Sequence, residues 1–296
     1  EVMAIGRSFE EAIQKAIRMQ TGQNESLTDN GFKNRKELAH FSTVPTPRRI
    51  FALVESLKLG VTVAKLHSLT GIDAWFLSRL QNIALTENQF KKSPKFDKES
   101  LFKLKQLGFS DKKIASLCGQ SELAIRKLRR NLGVMPSIFQ IDTLAGEFPA
   151  QTNYLYLTYH GDHTDIDPMG KNAIIVLGGG PYHIGSSVEF DWSCVHAAMG
   201  LKKHRKKSII INCNPETVST DYDISDRLYF ENLSFETAAD IYEFEKAQGI
   251  IISVGGQRPN NLSNKLSRAG FKLLGTNAEN IDRAEDRNKF SALLDK

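Results

Sequence analysis

Cysteine is scarce in this sequence: Cys118, Cys194 and Cys213 are the three among 296 residues, with no Cys-x-x-Cys spacing and no neighbouring histidine cluster. That pattern excludes a disulfide framework and a structural zinc site, and predicts reduced, mostly buried thiols. Long apolar runs are missing as well. No stretch approaches the roughly 20 residues a membrane helix needs, and no charged start followed by an apolar segment reads as a signal peptide. An intracellular protein is expected. The first half is poor in acids: residues 32–150 hold 10 Asp+Glu against 20 Lys+Arg, whereas residues 172–296 hold 16 against 15. Such asymmetry fits nucleic acid, an acidic partner or simply a solvated face. At 296 residues the chain exceeds what one core usually organises, so two domains are expected.

What is present begins with Phe9, Ala12, Ile13, Ala16 and Ile17 at helical spacing, behind a Ser8 cap and the first-turn acids Glu10 and Glu11. The chain opens without a start methionine and stops at Lys296 in a helical pattern, so it reads as an excised piece. Residues 20–48, rich in Asn, Gly, Thr, Ser and Pro, read as an irregular connector. From 49 to 132 a helical pattern carries a weak repeat: Thr62, Leu66, Leu69, Gly71 and Leu80 match Ser110, Ile114, Leu117, Gly119 and Leu128. Each copy reads as a cap, a helix, a glycine turn and a second helix. Arg126, Lys127, Arg129 and Arg130 in the second copy make a DNA-reading helix the alternative function. Trp75, Phe76 and Leu77 in the first copy suit a core or subunit interface instead. The Tyr154-Leu-Tyr-Leu-Thr-Tyr159 alternation reads as an extended segment laid across a neighbouring domain, and His160, Asp162, His163, Asp165 and Asp167 as solvated linker.

The last 125 or so residues alternate apolar strand candidates with helical patterns, predicting a parallel α/β sheet. Strands are expected at 173–177, 208–212, 227–230, 249–254 and 271–274, and helices near 186–203, 234–247, 260–269 and 277–294. The first strand runs into Gly178-Gly-Gly-Pro-Tyr-His-Ile-Gly-Ser-Ser-Val-Glu-Phe190, and the second into Asn212-Cys-Asn-Pro-Glu-Thr-Val-Ser-Thr-Asp-Tyr-Asp-Ile-Ser-Asp226. A dinucleotide fingerprint fails on these residues. His183 stands where the third glycine belongs, and Asn212 and Asn214 stand where a ribose-binding acid belongs.

These two motifs, with Glu1-Val-Met-Ala-Ile-Gly-Arg7, Gly71-Ile-Asp-Ala-Trp-Phe-Leu77, Lys105-Gln-Leu-Gly-Phe-Ser-Asp111, Ile141-Asp-Thr143, Gly255-Gly-Gln257 and Ile281-Asp-Arg-Ala-Glu-Asp-Arg287, resemble the large subunit of carbamoyl-phosphate synthetase. The resemblance covers the whole chain and looks eukaryotic in type. It implies an all-α helical oligomerisation domain followed by a Rossmann-like α/β parallel-sheet pre-ATP-grasp domain. The implied layout is 1–20 as the tail of a first ATP-grasp half and 21–150 as the oligomerisation domain. A linker at 151–171 follows, then the pre-ATP-grasp domain of a second half at 172–277 and the start of its ATP-grasp domain at 278–296.

By the same resemblance the parent enzyme is an ATP-grasp ligase making carbamoyl phosphate from bicarbonate, ammonia or glutamine, and two ATP, with Mg²⁺ or Mn²⁺. This chain would hold no complete catalytic set and no metal ligands. Arg287 matches an arginine that contacts nucleotide phosphates. Met3, His183, Ser187, Glu189 and Glu216 match the wall of a tunnel that carries carbamate between the two active sites. Bacterial relatives have Arg at the position of His183 and Gly at that of Ser187, which implies a less cationic, narrower wall here. Implied partners are the remaining synthetase modules, a glutaminase subunit or domain and a homo-oligomer, with neither nucleic acid nor membrane. A cytoplasmic location is expected, with mitochondria the alternative.

Overall fold

The structure, a computed structural model, describes residues 2–20, 24–29, 31–32, 34–182 and 188–295. The chain divides into two compact units. Gly6–Arg18 and Gly22–Met135 form a helical one, and Glu1–Ile5, Met19–Thr21 and Pro136–Lys296 form an α/β one.

The helical unit starts with α1 (Phe9–Met19), where Ser8 Oγ accepts from the Glu11 amide at 3.1 Å. Its Gln14 and Arg18 side chains donate to the Leu107 and Gly108 carbonyls, so residues 6–18 pack among the helices that follow. Next comes α2 (Arg35–Thr43), inside the stretch expected to be irregular. Asn34 explains the difference. It is an N-cap accepting from the Glu37 amide at 2.8 Å, and Leu38 gives the helix a buried anchor.

Then follow α3 (Arg49–Lys58), α4 (Val63–Thr70), α5 (Ala74–Lys92), α6 (Lys98–Gln106), α7 (Asp111–Cys118) and α8 (Glu122–Asn131). The repeat is real in its punctuation. Thr62 and Ser110 cap α4 and α7 by accepting from Lys65 and Lys113 amides, and Gly71 and Gly119 end them at φ 68° and 67°. That left-handed cap favours glycine in both copies.

The α/β unit holds one seven-stranded sheet of order β1-β2-β5-β4-β3-β6-β7: Ser137–Gln140, Tyr154–Thr158, Ala173–Leu177, Lys207–Asn212, Arg227–Phe230, Gly249–Ile251 and Leu273–Leu274 for β1 to β7. Every pairing is parallel except β1 with β2. The Tyr154 segment is therefore a strand of this sheet, not a strap across another domain. It pairs Leu155 with Gln140 on one side and Tyr229 on the other.

Strands β3 and β4 are buried on both faces, which is why they read as unbroken aliphatic runs. Ala173, Ile175, Leu177, Ile209 and Ile211 face one core, Val176 and Ile210 the other. The first core is closed by α10 (Phe235–Glu245) and α12 (Ser263–Arg268). The second is closed by α9 (Val188–Lys203) through Cys194 and Ala198. The short α11 (Gln257–Asn260) follows β6. The helical pattern expected over 277–294 is two helices, α13 (Ala278–Glu285) and α14 (Arg287–Leu294). Asp286 divides them, ending α13 and capping α14 through the Asn288 and Lys289 amides.

Candidate functional site

The sheet changes direction of winding at β3. From β3 the chain goes to β4 on one side, and from β5 it returns to β6 on the other. In open α/β sheets ligands bind outside the carboxyl ends of the strands at such a switch point. The residues there are the Gly178–Gly180 turn after β3, the Asn212–Thr220 loop after β4 and the Gly255–Arg258 turn after β6.

Asn212 is the hub. Its Oδ1 accepts from the Gly180 amide at 3.0 Å and the Cys213 amide at 2.8 Å, and its Nδ2 donates to Ser219 Oγ at 3.3 Å. A side chain so committed cannot serve a ribose, which gives the failed dinucleotide fingerprint a geometric basis. Asp191 on α9 accepts from Thr217 Oγ1 and, at 3.3 Å, from the Ser219 amide. Thr220 Oγ1 donates to the Asn214 carbonyl at 3.0 Å, and Asn214 Oδ1 accepts from the Glu216 amide at 2.9 Å. The polar loop is thus rigid and folded by its own side chains.

The close approach of backbones demands glycine at position 255. A Cβ there would lie 2.4 Å from the Leu177 carbonyl oxygen and 2.6 Å from that of Gly178. Gly256, at φ 75°, has the Phe190 ring against it, a Cβ there falling 2.8 Å from the ring carbons. Cys213 is fully buried, and burial chiefly pushes its thiol up to about 12. It is therefore a protonated packing group at neutral pH and no nucleophile.

The tunnel candidates fall as follows. The Met3 amide donates to the Cys213 carbonyl at 2.9 Å, and its side chain packs on the second core. Glu189 is exposed two residues before Asp191, and Glu216 is exposed one residue before Thr217. The Asp191–Thr217 bond therefore joins the two segments that carry these glutamates. His183 and Ser187 lie outside the described residues. Arg287 is exposed as the first residue of α14, and the acids beside it are engaged elsewhere. Glu285 accepts from Gln257 and Asn260, and Asp286 caps α14 and faces Lys289. Among the described residues no group of three or more His, Cys, Asp or Glu is placed to hold a metal ion.

Two residues escaped the sequence reading, Asp191 and Arg258. Asp191 carried a faint signal as an acid in the first turn of a helix. The DNA-reading alternative loses two of its four residues to the core, while Lys127 is exposed and Arg130 half-exposed. Arg129 is fully buried, its Nε 2.7 Å from Asp111 Oδ2, and Arg126 is buried beside it. Trp75 and Phe76, expected in a core or interface, are half-exposed and meet Phe9 edge-on at 5.8 and 5.4 Å.

A helical unit joined to a doubly wound sheet with a preorganised polar switch point defines an α/β protein whose working edge is the carboxyl end of the strands. Residues 1–133 match the family model described as carbamoyl-phosphate synthetase large chain, oligomerisation domain, and residues 170–283 the one described as carbamoyl phosphate synthase preATP-grasp domain. The chain belongs to the carbamoyl-phosphate synthetase large-chain family.

Among its relatives are multifunctional protein CAD of Squalus acanthias, 49% identical over 300 residues, and the mitochondrial carbamoyl-phosphate synthase [ammonia] of Aquarana catesbeiana, 48% over 306. The mitochondrial arginine-specific large chain of Schizosaccharomyces pombe is 49% identical over 300. Each alignment covers 100% of this chain but only 13%, 20% and 26% of the respective relative. No helix among the described residues is long and apolar enough to cross a membrane.

Proposed function

We propose that this chain is the central stretch of an ATP-dependent carbamoyl-phosphate synthetase, an all-α oligomerisation domain followed by a Rossmann-like pre-ATP-grasp domain that joins two synthetase halves. The observation that carries this reading is the order of the two family matches, together with close to half identity along the entire chain. In this reading bicarbonate, ammonia or glutamine, and two ATP yield carbamoyl phosphate. The first half makes carbamate and the second phosphorylates it. Residues 1–20 would end the first ATP-grasp half, 151–171, which carries strand β2, would lead into the pre-ATP-grasp domain, and 278–296 would open the second ATP-grasp module.

Carbamate decomposes in water, so a sheltered path between the two sites raises yield by excluding solvent. Met3, His183, Ser187, Glu189 and Glu216 are assigned to that passage. Support comes from the Asp191–Thr217 link between the glutamate-bearing segments and from the Met3–Cys213 bond. Arg287 is assigned to nucleotide phosphate, supported by its exposed guanidinium at the start of α14. Phosphoryl transfer rests mainly on positioning and charge neutralisation. ATP and Mg²⁺ or Mn²⁺ would be held chiefly by the modules outside this chain.

Partners in this reading are those modules, a glutaminase and a second copy. The multifunctional relatives favour modules fused in one polypeptide. A cytoplasmic setting is preferred over the mitochondrial one that two relatives' names carry. The test is Ser187→Phe in the complete synthetase. Blocking the passage should raise ATP cleaved per carbamoyl phosphate severalfold while bicarbonate-dependent cleavage continues. An unchanged ratio removes the passage. The isolated chain should make no carbamoyl phosphate, and product from it would overturn the domain assignment.

A further inference from the structure

Arg258 sits on the switch-point crevice between β3 and β6, and nothing above gives it a role. Its side chain lies over Gly180: a Cβ there would be 3.0 Å from Arg258 Cδ and 3.1 Å from Nη1. Gly180 has φ 74°, so the turn presents bare backbone to the guanidinium. Nη1 donates to the Met19 carbonyl at 2.8 Å. No other hydrogen bond and no ion pair engages Arg258 among the described residues. It is half-buried, and that burial lowers its pKa, with the Cys213 thiol the one group that acts in the other direction. A guanidinium has five donors and stays charged in proteins, so beyond the Met19 bond the half-buried Arg258 keeps donors and a positive charge available to a solute at this edge. Partly desolvated charge normally comes with a partner, and among the described residues Arg258 has no ion-pair partner. Close in sequence to the same neighbour, Asn214 is fully buried one residue after Cys213 and its Nδ2 has no acceptor among the described residues.

We propose that this crevice is an anion site in which Arg258 takes a small planar carboxylate-like anion through its forked N–H groups. The fork matches two oxygens of a carboxylate or carbamate in a way an ammonium does not. Naming the anion as carbamate rests on the function proposed above, whereas the site itself rests on the geometry.

Acetate, which has the shape and charge of carbamate and is stable in water, is the probe. The 296-residue chain, labelled with ¹⁵N and ¹³C, is titrated at constant ionic strength while the Arg258 Nε–H and the Gly180 and Cys213 amides are followed by NMR. Saturable shifts at all three are expected, with the affinity weakened at least about tenfold in Arg258→Met. Arg258→Lys keeps the charge without the fork, so its acetate affinity should fall between those of the unsubstituted chain and Arg258→Met, which separates loss of the anion from loss of the Met19 contact. Absence of saturable shifts, or an unchanged affinity in Arg258→Met, overturns the site. In the complete synthetase, Arg258→Met should also raise ATP cleaved per product severalfold. If acetate binds and Ser187→Phe uncouples the enzyme but Arg258→Met does not, carbamate is the wrong anion and the passage stands. If Ser187→Phe has no effect either, the passage falls while the acetate titration still decides the site.

Discussion

In the helical unit Asp111 is fully buried and is met by Arg129 at 2.7 Å and Lys105 at 3.2 Å, whereas at the carboxyl edge of the sheet Arg258 meets no carboxylate among the described residues. Glu87 in the helical unit is likewise surrounded, by Lys58 and Lys113 at 3.0 Å and by the Thr28 hydroxyl. The α/β unit closes charge in the same way where the role is structural. Buried Glu245 binds Arg227, the Tyr229 hydroxyl and the Met169 amide. The openness of Arg258 is therefore a property of its place, not of its unit. Buried charge that holds the fold has its partners in the chain, and the charge left open stands at the one edge where parallel sheets bind ligands.

The sharpest way to break this comparison is to open a closed set. Arg129→Met takes the guanidinium away from the Asp111 carboxylate in the core, and urea unfolding should show a loss of about 3–5 kcal/mol. A loss under about 1 kcal/mol would mean that Asp111 is not held as a buried ion, and the contrast with Arg258 would collapse. Next in size is Gly255→Ala. The new methyl would meet the Leu177 and Gly178 carbonyl oxygens, which are fixed by the sheet, so thermal unfolding should report about 1–3 kcal/mol lost. Little change would show that the switch point can relax, against the rigidity read from the Asn212 and Asp191 bonds.

The repeat offers a smaller and internally controlled test. Thr62→Ala and Ser110→Ala each remove an N-cap worth about 1 kcal/mol. Ser110 Oγ also donates to Glu25 at 3.3 Å, so the second copy should lose more by a few tenths. Equal losses in urea unfolding would show that the Glu25 contact adds nothing.

How far these features were legible in the sequence depends on whether their causes are local. Strands β3 and β4 announce themselves because burial on both faces leaves only aliphatic residues. The caps Ser8, Thr62 and Ser110 and the stops Gly71 and Gly119 are short-range chemistry and were readable. Helix α2 was missed because Asn34 was weighed as a loop former when its side chain was starting a helix. Strand β2 was read as extended, but its partners are remote: Tyr154 and Leu155 pair with Leu228 and Tyr229. At the candidate site the glycine and asparagine motifs stood out, while their use did not. That Asn212 is consumed by Gly180 and Cys213, and that Arg258 is not consumed by anything acidic, are facts of tertiary placement. One arginine after Gly255-Gly-Gln257 carries no pattern of its own.

The smallest expected effect is the most discriminating. Arg258→Met removes the bond to the Met19 carbonyl, a loss of about 1 kcal/mol, but also removes a charge that burial disfavours, a gain of similar size. The methionine keeps the packing of the aliphatic stem over Gly180. Net stability in urea should therefore move by less than about 1 kcal/mol, several times less than for Arg129→Met. A loss as large as that of Arg129→Met would make Arg258 a structural cation like the others. Near-neutral stability would mean that the fold does not need this charge, which leaves the role of Arg258 at the edge of the sheet to be decided by the acetate titration.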